Sequence, residues 1–300
     1  MRPGATLLFL CGVAGAPPGC AHPAEGPAAT VVAFGTAIGR GDLRTAYGLT
    51  SAEFRRRTPF DAFAAGFDDV VIVINPDTGP EIIDHVARCW PREHRVSFAF
   101  QQNLRGTVDA VLCAMPYLSD KIPFGVSNAD DLYGRDAMMQ LGSHLGSSAN
   151  NCLVGFQLDR ALVGDLPVSR GTCNVVNGHL TEIVERRNVQ ATLNGFIAED
   201  GLEPSRLNAE ATVSMNLWGF QAGIWPLMKR AVALHDFAES PEVLLPVFVG
   251  EILGHTPMRF DVLATSSRCI GVTHAEDLPL AQILVAKDIQ AGLRPEFAFS

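Results

Sequence analysis

One stretch, FGVSNADDLYGRDAM at Phe124–Met138, constrains the fold more than any other part of this chain. A short apolar run there ends in two adjacent aspartates, and a Tyr-Gly turn and an amphipathic helical pattern follow. This is the pattern of a strand that leaves a sheet through a loop and continues as a helix. In open α/β sheets, ligands bind beyond the carboxyl ends of such strands. The stretch therefore predicts an α/β fold with a functional site near Asp130 and Asp131.

The aspartate pair supports two interpretations. Carboxylate oxygens are ligands that Mg²⁺ prefers, and protein-bound Mg²⁺ often bridges to substrate phosphates. Carboxylates in the first turn of a helix also interact favourably with the free backbone N–H groups there, so Asp130 and Asp131 equally suit a helix cap. The residues alone leave both interpretations open.

Short β-type patterns alternate with helical patterns along the chain after Phe67. Strands are predicted at residues 70–74, 96–100, 123–127, 152–157, 212–220 and 260–264. Helices are predicted at residues 81–89, 107–114, 136–145, 223–237, 242–253 and 277–291. Residues 169–176 and 179–185 predict a hairpin around Asn177-Gly178, a dipeptide typical of type I′ turns. This alternation with one hairpin insertion predicts a three-layer α/β/α fold with a mostly parallel sheet.

Charge and cysteine usage limit the partners and the compartment. The formal net charge of −9 argues against general nucleic-acid binding, which needs a basic face. The seven cysteines are scattered without a C-x-x-C pair, which indicates reduced thiols in a cytoplasmic protein. The eight histidines show no H-E-x-x-H spacing, so zinc is not predicted.

Six segments, in the same order, resemble a nucleotidyltransferase family related to the sugar-phosphate nucleotidylyltransferases. The most specific is NADDLYG at residues 128–134, and the others are RGTVDAVLCA, VSRGTCNV, LTEIVERR, VSMNLWGF and GVTHAEDLP. Upstream of them, DAFAAGFDDVVIVI is similar to the first helix and second strand of the family. The resemblance covers the chain from Asp61 to the C-terminus, about four fifths of its length.

The resemblance implies a nucleotide-diphospho-sugar transferase-like fold, which is Rossmann-like, and a nucleotidyl transfer reaction. An oxygen of a sugar 1-phosphate attacks the α-phosphorus of a nucleoside triphosphate, and pyrophosphate leaves. Such a reaction depends on alignment and charge neutralisation more than on covalent catalysis. The implied partners are a nucleoside triphosphate and a sugar 1-phosphate, with Mg²⁺ as the cofactor and with neither nucleic acid nor a membrane span.

The predicted metal ligands are acidic residues at two places in the sequence. Asp130 is the predicted catalytic ligand of Mg²⁺, and Asp131 supports it. Asp277 is a candidate for a second metal carboxylate, beside Thr273 and Glu276. A helix cap with acidic residues in its first turn explains this second group equally well.

The resemblance also implies residues for the sugar phosphate. Gly171 and Glu185 match positions on the sugar side, with Glu185 on hydroxyl groups. Arg186 is predicted to act catalytically on the phosphate, because an arginine fork presents parallel donors to phosphate oxygens. A solvent-facing charge pair on a hairpin is the alternative for Glu185 and Arg186.

Four further residues are predicted to bind substrate. Gly106 and Thr107 match the place where the family brings its backbone close to the nucleobase, although an ordinary helix start fits them as well. Asn128 belongs to the NADDLYG segment. Asn216 interrupts an apolar strand and needs a hydrogen-bond partner if it is buried, either a sugar hydroxyl or a neighbouring backbone group.

The start of the chain departs from the resembled family, which opens with a strand and an AAG-x-G-[ST]-R loop that holds the triphosphate. That position is assigned here to residues 31–44, VVAFGTAIGRGDLR. Gly35, Gly39 and Arg40 then form an altered loop in which Arg40 is the catalytic cation, and Arg44 replaces the usual lysine. Helical periodicity in this segment supports the competing interpretation that an unrelated helical piece replaces the strand.

Residues 1–27 are predicted to be a separate signal-like or wrongly assigned segment with a linker, ahead of a nucleotidyltransferase-like domain at 28–300 that is atypical over 28–60. Residues 1–20 resemble the signal peptide of a lipoprotein, with an apolar run too short to span a bilayer. Residues 28–67 resemble the opening helices of exported nuclear-transport-factor-like domains. The alternatives to a cytoplasmic nucleotidyltransferase are therefore an exported or lipid-anchored protein, and an inactive paralogue that binds nucleotide or sugar phosphate.

Overall fold

A computed structural model describes residues 5–10, 67–77, 79–89, 95–164, 166–271 and 277–291 of the chain. Its strands are β1 (Ala5–Leu10), β2 (Phe67–Ile74), β3 (Arg95–Phe100), β4 (Phe124–Asn128), β5 (Asp131–Leu132), β6 (Asn151–Gln157), β7 (Val168–Val176), β8 (His179–Thr192), β9 (Gly195–Ala198), β10 (Arg206–Leu207), β11 (Thr212–Phe220), β12 (Phe260–Ala264) and β13 (Ile270–Gly271). Its helices are α1 (Gly79–Cys89), α2 (Thr107–Ala114), α3 (Arg135–Ser147), α4 (Trp225–Leu234), α5 (Leu245–Ile252) and α6 (Leu278–Gln290). The strands and helices predicted after Phe67 are thus confirmed, with shifts of a few residues at their ends.

One half of the main sheet is parallel, in the order β3-β2-β1-β4. The continuous apolar run of β2 explains its place inside this half. Val70 and Ile72 pack into one core, whereas Val71 and Val73 pack into the core on the other face. A strand with both faces buried is uniformly apolar rather than alternating, as parallel strands generally are.

The other half of the sheet is mixed and closes on itself. β11 runs antiparallel to β4, β6 and β7, β6 pairs with β12, β12 pairs with β8, and β8 returns to β7. The resulting ring of five strands resembles a barrel. Among the described strands of the eleven-stranded sheet, four pairings are parallel and seven are antiparallel, so the predicted mostly parallel sheet is wrong. Strands β11 and β8 take part in six of the seven antiparallel pairings, of which the sequence analysis expected only the β7–β8 hairpin.

The turn of the β7–β8 hairpin confirms the prediction made from its sequence. Asn177 and Gly178 both have positive φ, at 51° and 79°. A type I′ turn requires this conformation at both central positions, and Asn-Gly adopts it readily.

Helices cover both faces of the sheet. α1 and α3 pack against one apolar core, which includes Val86, Leu141 and Phe156. α2, α4 and α5 pack against a second core on the opposite face, which includes Trp218 and Phe248. No helix within the described ranges has the length and apolar character required to cross a bilayer.

The position of β1 was not predicted. Ala5–Leu10 lies between β2 and β4 and is parallel to both, so part of the segment interpreted as signal-like forms an inner strand of the sheet. The opening strand, which the sequence analysis assigned to residues 31–44, is therefore Ala5–Leu10 in the described part of the chain. Residues 31–44 and the predicted boundaries at 27, 28 and 60 lie outside the described residues, and the domain division stays a prediction.

Candidate functional site

The aspartate pair lies at the carboxyl ends of β1 and β4. Leu10, the last residue of β1, is in register with Asn128, the last residue of β4. The chain then passes Asp130 and enters β5, where Asp131 pairs with Gly271 of β13. A Cβ atom at Gly271 would collide with the carboxylate of Asp131, so a larger residue there would displace this carboxylate. The sequence-predicted location of the site at this edge agrees with the structure.

Hydrogen bonds fix the carboxylate of Asp131, whose exposure is only 7%. Asn128 donates from Nδ2 to Oδ2 of Asp131 at 2.9 Å, and the Tyr133 hydroxyl lies 3.2 Å from the same oxygen. The backbone N–H of Asn128 donates to the hydroxyl oxygen of Tyr133 at 2.9 Å. Asn128, predicted to bind substrate, therefore directs its amide N–H toward Asp131.

Asp130, by contrast, is exposed. The surrounding protein nevertheless removes water from the carboxyl group of Asp130, and Asp131 repels its charge. Both effects raise the pKa of Asp130 to about 7. Burial likewise raises the pKa of Asp131. The charge of Arg170 and the hydrogen bonds from Asn128 and Tyr133 lower this pKa, but burial has the larger effect. Two adjacent carboxyl groups with raised pKa values favour a bound cation, which would let both ionise.

Asp277, the predicted second metal carboxylate, contacts a different part of the chain from the aspartate pair. It is buried, and its carboxylate lies against Gly164, where a Cβ atom would collide with it. Across the described residues, no group of three or more His, Cys, Asp or Glu side chains is arranged to hold a metal ion. Asp277 therefore does not join Asp130 and Asp131 in such a group. Thr273 and Glu276 lie outside the described residues.

A bulge in β11 borders the aspartate pair. The pairing of β11 with β6 shifts between Ser214 and Trp218, and Asn216 within it has a φ of 57°, which is uncommon for a residue other than glycine. Asn216 accepts a hydrogen bond at Oδ1 from the Trp218 indole at 3.3 Å, and its Nδ2 makes no hydrogen bond to a described residue. The Nδ2 group of Asn216 could therefore donate to a ligand, and the predicted substrate-binding role of Asn216 stays a prediction.

Glu185 and Gly171 lie on one line across three strands. Glu185 of β8 is opposite Gly171 of β7, which is opposite Ser214 of β11. Burial raises the pKa of Glu185 to about 7, although Arg170 and Arg187 oppose the shift. Oε2 of Glu185 is buried and has no hydrogen-bond partner in the described part of the chain. A cleft of about 630 Å³ lies beside it, between β8 and α5. A ligand hydroxyl could supply the missing donor.

Arg186 makes contacts that differ from its predicted phosphate-binding role. Its Nε and Nη2 donate to the two carboxylate oxygens of Asp200 at 2.7 and 3.0 Å, and both side chains are only 4% exposed. The backbone carbonyls of Leu202 and Pro204 accept further hydrogen bonds from the guanidinium. Since Arg186 is buried and paired, we revise its assignment to a structural residue of the β8–β9 region.

Gly106 and Thr107 contact another part of this chain. Gly106 has a φ of 91°, and a Cβ atom there would lie 2.6 Å from the carbonyl oxygen of Val243. The Thr107 hydroxyl oxygen accepts a hydrogen bond from the backbone N–H of Leu245 at 2.7 Å. The close backbone approach predicted at Gly106 is therefore to Val243, and these contacts do not favour the nucleobase role.

Solved structures share this architecture. The inositol-1-phosphate CTP transferase from T. maritima matches with a TM-score of 0.57 and 11% identity, covering 99% of this chain and 100% of that one. HddC from Yersinia pseudotuberculosis in complex with GMP-PN matches at 0.58 and 14%, covering 94% and 99%. A putative glucose-1-phosphate thymidylyltransferase from Bacillus anthracis in complex with sucrose matches at 0.57 and 10%, covering 93% and 94%. The chain therefore shares the fold of these three structures. No family model and no curated protein matches the sequence.

The nucleotidyltransferase fold places three residues at the site to which the sequence analysis gave no role. Tyr133 and Gly271 support Asp131, and both belong to quoted motif segments. Arg170 lies beside Gly171, and its charge acts on Asp130, Asp131 and Glu185. All three residues lie inside motif segments quoted in the sequence analysis, and this was the only sequence feature that could have identified them. Arg40, with Gly35, Gly39 and Arg44, lies outside the described residues, so its predicted role stays a prediction.

Proposed function

We propose that this protein is a Mg²⁺-dependent nucleotidyltransferase that joins a nucleoside triphosphate to a sugar 1-phosphate. The observation that carries the proposal is the Asp130–Asp131 pair at the carboxyl ends of β1 and β4. The fold supports it, because similar structures include a CTP transferase and a putative thymidylyltransferase that act on phosphorylated polyols or sugars by name.

The acidic pair fits Mg²⁺ although it provides only two carboxylates. Mg²⁺ in nucleotide-dependent enzymes is usually held by one or two carboxylates and completes its shell with water and substrate phosphates. Asp130 is exposed toward solvent and would hold the ion, whereas Asp131 is fixed by Asn128 and Tyr133 and would support it. Bound Mg²⁺ would neutralise phosphate charge during the transfer.

The chain's own residues would bind and orient the acceptor. Glu185 would accept a hydrogen bond from a sugar hydroxyl at its unpartnered Oε2, and Asn216 would donate from Nδ2. A phosphate oxygen of the acceptor then forms a bond to the α-phosphorus of the triphosphate. The bond from that phosphorus to the bridging oxygen breaks, and pyrophosphate leaves with the electron pair. Alignment of the two substrates is the main contribution required of the protein.

The register of β1 suggests where the triphosphate binds. Because β1 ends opposite Asn128, the chain that follows Leu10 starts at the same edge as Asp130. Residues 11–19, CGVAGAPPG, contain three glycines, which would let backbone N–H groups approach phosphates closely. We therefore propose this segment for the triphosphate, beside the predicted Gly35 and Arg40.

The deciding experiment is pyrophosphate release by the purified protein with Mg²⁺, tested with each nucleoside triphosphate against a panel of sugar 1-phosphates and inositol 1-phosphate. Release that requires both substrates supports the proposal. Release without an acceptor would indicate hydrolysis instead.

The sequence also favours a second candidate, a paralogue that binds the same ligands without turnover. The first lysine of the chain is Lys121, so no lysine follows the opening strand as it does in the resembled family. Nucleotide binding by calorimetry without pyrophosphate release from any pair would support this candidate over the enzyme.

A further inference from the structure

The cleft between β8 and α5 has an apolar wall that is open to solvent. Its volume of about 630 Å³ lies within the range of small-molecule sites. Leu244, at the start of α5, and Val247 lie three residues apart and line the same side, and Leu202 lines the cleft from the segment after β9. Val247 is 43% exposed and Leu202 is 45% exposed. Large apolar side chains that remain exposed in a concave surface indicate a place that a ligand covers.

The cleft also contains a polar group in need of a partner. α5 approaches β8 closely at Gly250, where a Cβ atom would lie 3.1 Å from the carbonyl oxygen of Ile183. Glu185 lies two residues further along β8 than Ile183, so both side chains belong to the strand face that α5 covers. Oε2 of Glu185 is buried without a hydrogen-bond partner among the described residues. The cleft therefore combines an apolar wall with one acceptor for a hydroxyl group.

The strand register connects the cleft to the edge that carries the aspartate pair. β11 runs antiparallel to β4, with Trp218 opposite Val126, so the residues of β11 that precede its bulge lie beyond the end of β4. Ser214, one of these residues, is opposite Gly171, which is opposite Glu185. Since neighbouring strands are about 4.8 Å apart, the backbone of Glu185 lies roughly 10 Å from that of Ser214. A sugar 1-phosphate with its phosphate at this edge would point the other end of its ring toward the cleft.

The charges around the cleft are unfavourable for an anion. Asp200 lines it, but Arg186 neutralises this carboxylate at 2.7 Å. Glu182 and Glu251 line it as exposed carboxylates, and Arg187 is the one basic side chain among the described residues of the lining. An anionic substituent in the cleft would lose water against the apolar wall and meet an excess of negative charge.

We propose that this cleft binds the end of the acceptor remote from its phosphate and selects an uncharged, apolar substituent there. The inference rests on the proposed function, because it assumes a sugar 1-phosphate as the acceptor. Glu185 accepts a hydrogen bond from a ring hydroxyl, and Val247 and Leu202 cover the apolar substituent. The favoured substrate class is then the 1-phosphates of deoxy sugars, and the 1-phosphates of uronic acids are excluded.

Three ligands that differ only at C6 test the selection: 6-deoxyglucose 1-phosphate, glucose 1-phosphate and glucuronic acid 1-phosphate. Calorimetry with the full-length protein should show that the 6-deoxy compound binds about three- to tenfold more tightly than glucose 1-phosphate, as expected for burial of one methyl group. Glucuronic acid 1-phosphate should bind at least about tenfold more weakly than glucose 1-phosphate. Equal affinities, a preference for glucose or glucuronic acid 1-phosphate, or no binding of any of the three would overturn the inference.

Variants locate the selection within the cleft. Val247→Thr keeps the shape of the side chain but adds a hydroxyl group, so the preference for the 6-deoxy compound over glucose 1-phosphate should fall toward one. Val176→Thr is the matched control, because Val176 is 50% exposed and lies outside the cleft. Full retention of the preference in Val247→Thr would show that this wall does not select the substituent.

A second pair of variants tests the charges. Glu251→Gln removes one carboxylate from the lining and should reduce the penalty on glucuronic acid 1-phosphate, whereas Glu239→Gln, at an exposed residue outside the cleft, should leave the penalty unchanged. An equal change in both variants would contradict the role of the cleft.

The binding order and the reaction can fail separately. If the wild type shows the expected order of affinities but releases no pyrophosphate with any triphosphate, the inference about the cleft stands and the proposed transfer reaction is refuted. If pyrophosphate is released with equal efficiency from all three acceptors, the reaction stands and the selection by the cleft is refuted.

Discussion

The hydroxyl group of Tyr133 donates to the backbone carbonyl of Met215 at 2.8 Å and so ties the loop after β4 to the bulge of β11. The same oxygen lies 3.2 Å from Asp131 and accepts the N–H of Asn128 at 2.9 Å. The ring itself is buried, with 2% exposure. One phenol oxygen therefore sets the relative positions of the acidic loop and the strand that carries Asn216.

We predict that Tyr133→Phe lowers both stability and ligand binding. The substitution keeps the ring but leaves the Met215 carbonyl and the Asn128 N–H without their partner, which should cost about 1–3 kcal/mol of unfolding free energy. Urea unfolding at pH 7 measures the change. Tyr117→Phe is the matched control, because Tyr117 is 50% exposed. Equal stability of the two variants would show that the hydroxyl contributes nothing.

Asp130→Asn should abolish Mg²⁺-dependent nucleotide binding without unfolding the protein. Asp130 is exposed and contributes little packing, whereas a lost metal carboxylate should weaken binding by at least about tenfold. Calorimetric titration of nucleoside triphosphate with and without Mg²⁺ measures the effect. Asp120→Asn, at another exposed aspartate, should bind as the wild type does. Helix α3 begins only at Arg135, with Gly134 as its N-cap, so Asp130 does not cap it. Unchanged affinity in Asp130→Asn would show that this residue does not hold the metal.

The Arg186–Asp200 pair should matter for stability rather than for the acceptor. Removing one partner from a buried ion pair costs about 3–5 kcal/mol, so Asp200→Asn should clearly lower the urea midpoint at pH 7. The hydrogen bond from Arg186 holds the pKa of Asp200 well below its usual value. A lowered carboxyl pKa contributes stability that is present above the usual value of about 3.9 and is lost as pH falls toward the lowered pKa. The difference in unfolding free energy between the wild type and Asp200→Asn should therefore be constant from pH 7 to 5 and become smaller below pH 4. A difference in unfolding free energy that increases as the pH falls would contradict this prediction.

Glu185→Gln should stabilise the protein at alkaline pH in the absence of ligand. Burial raises the pKa of Glu185 to about 7, so its ionised form is disfavoured in the folded state. The resulting cost is absent below the unfolded pKa of about 4.3 and is fully present above about 7. The melting temperature of Glu185→Gln should exceed that of the wild type at pH 8 and match it below about pH 4. Glu182→Gln is the control, because Glu182 is exposed. A gain of the same size at both pH values would exclude ionisation as its cause.

The sequence located the acidic pair but not the ion pair that occupies Arg186. NADDLYG is short and local, so the strand, the loop and the position of Asp130 followed from adjacent residues. Whether Arg186 stays available for a ligand depends on Asp200, a residue on the far side of β8 whose contact no local pattern reveals. The ring of β11, β6, β12, β8 and β7 was missed for the same reason, since pairing direction depends on contacts between distant segments.

The position of strand β1 in the sheet limits how the N-terminus of this polypeptide can be processed. A peptidase that cut just before Cys20, as for a lipoprotein, would release Ala5–Leu10 from the chain and leave β2 and β4 without the strand that each pairs with. The same holds for translation that begins at a later codon. A chain cleaved before Cys20 therefore cannot form this sheet with its own β1 strand. The N-terminal sequence of the protein isolated from cells shows whether such cleavage occurs.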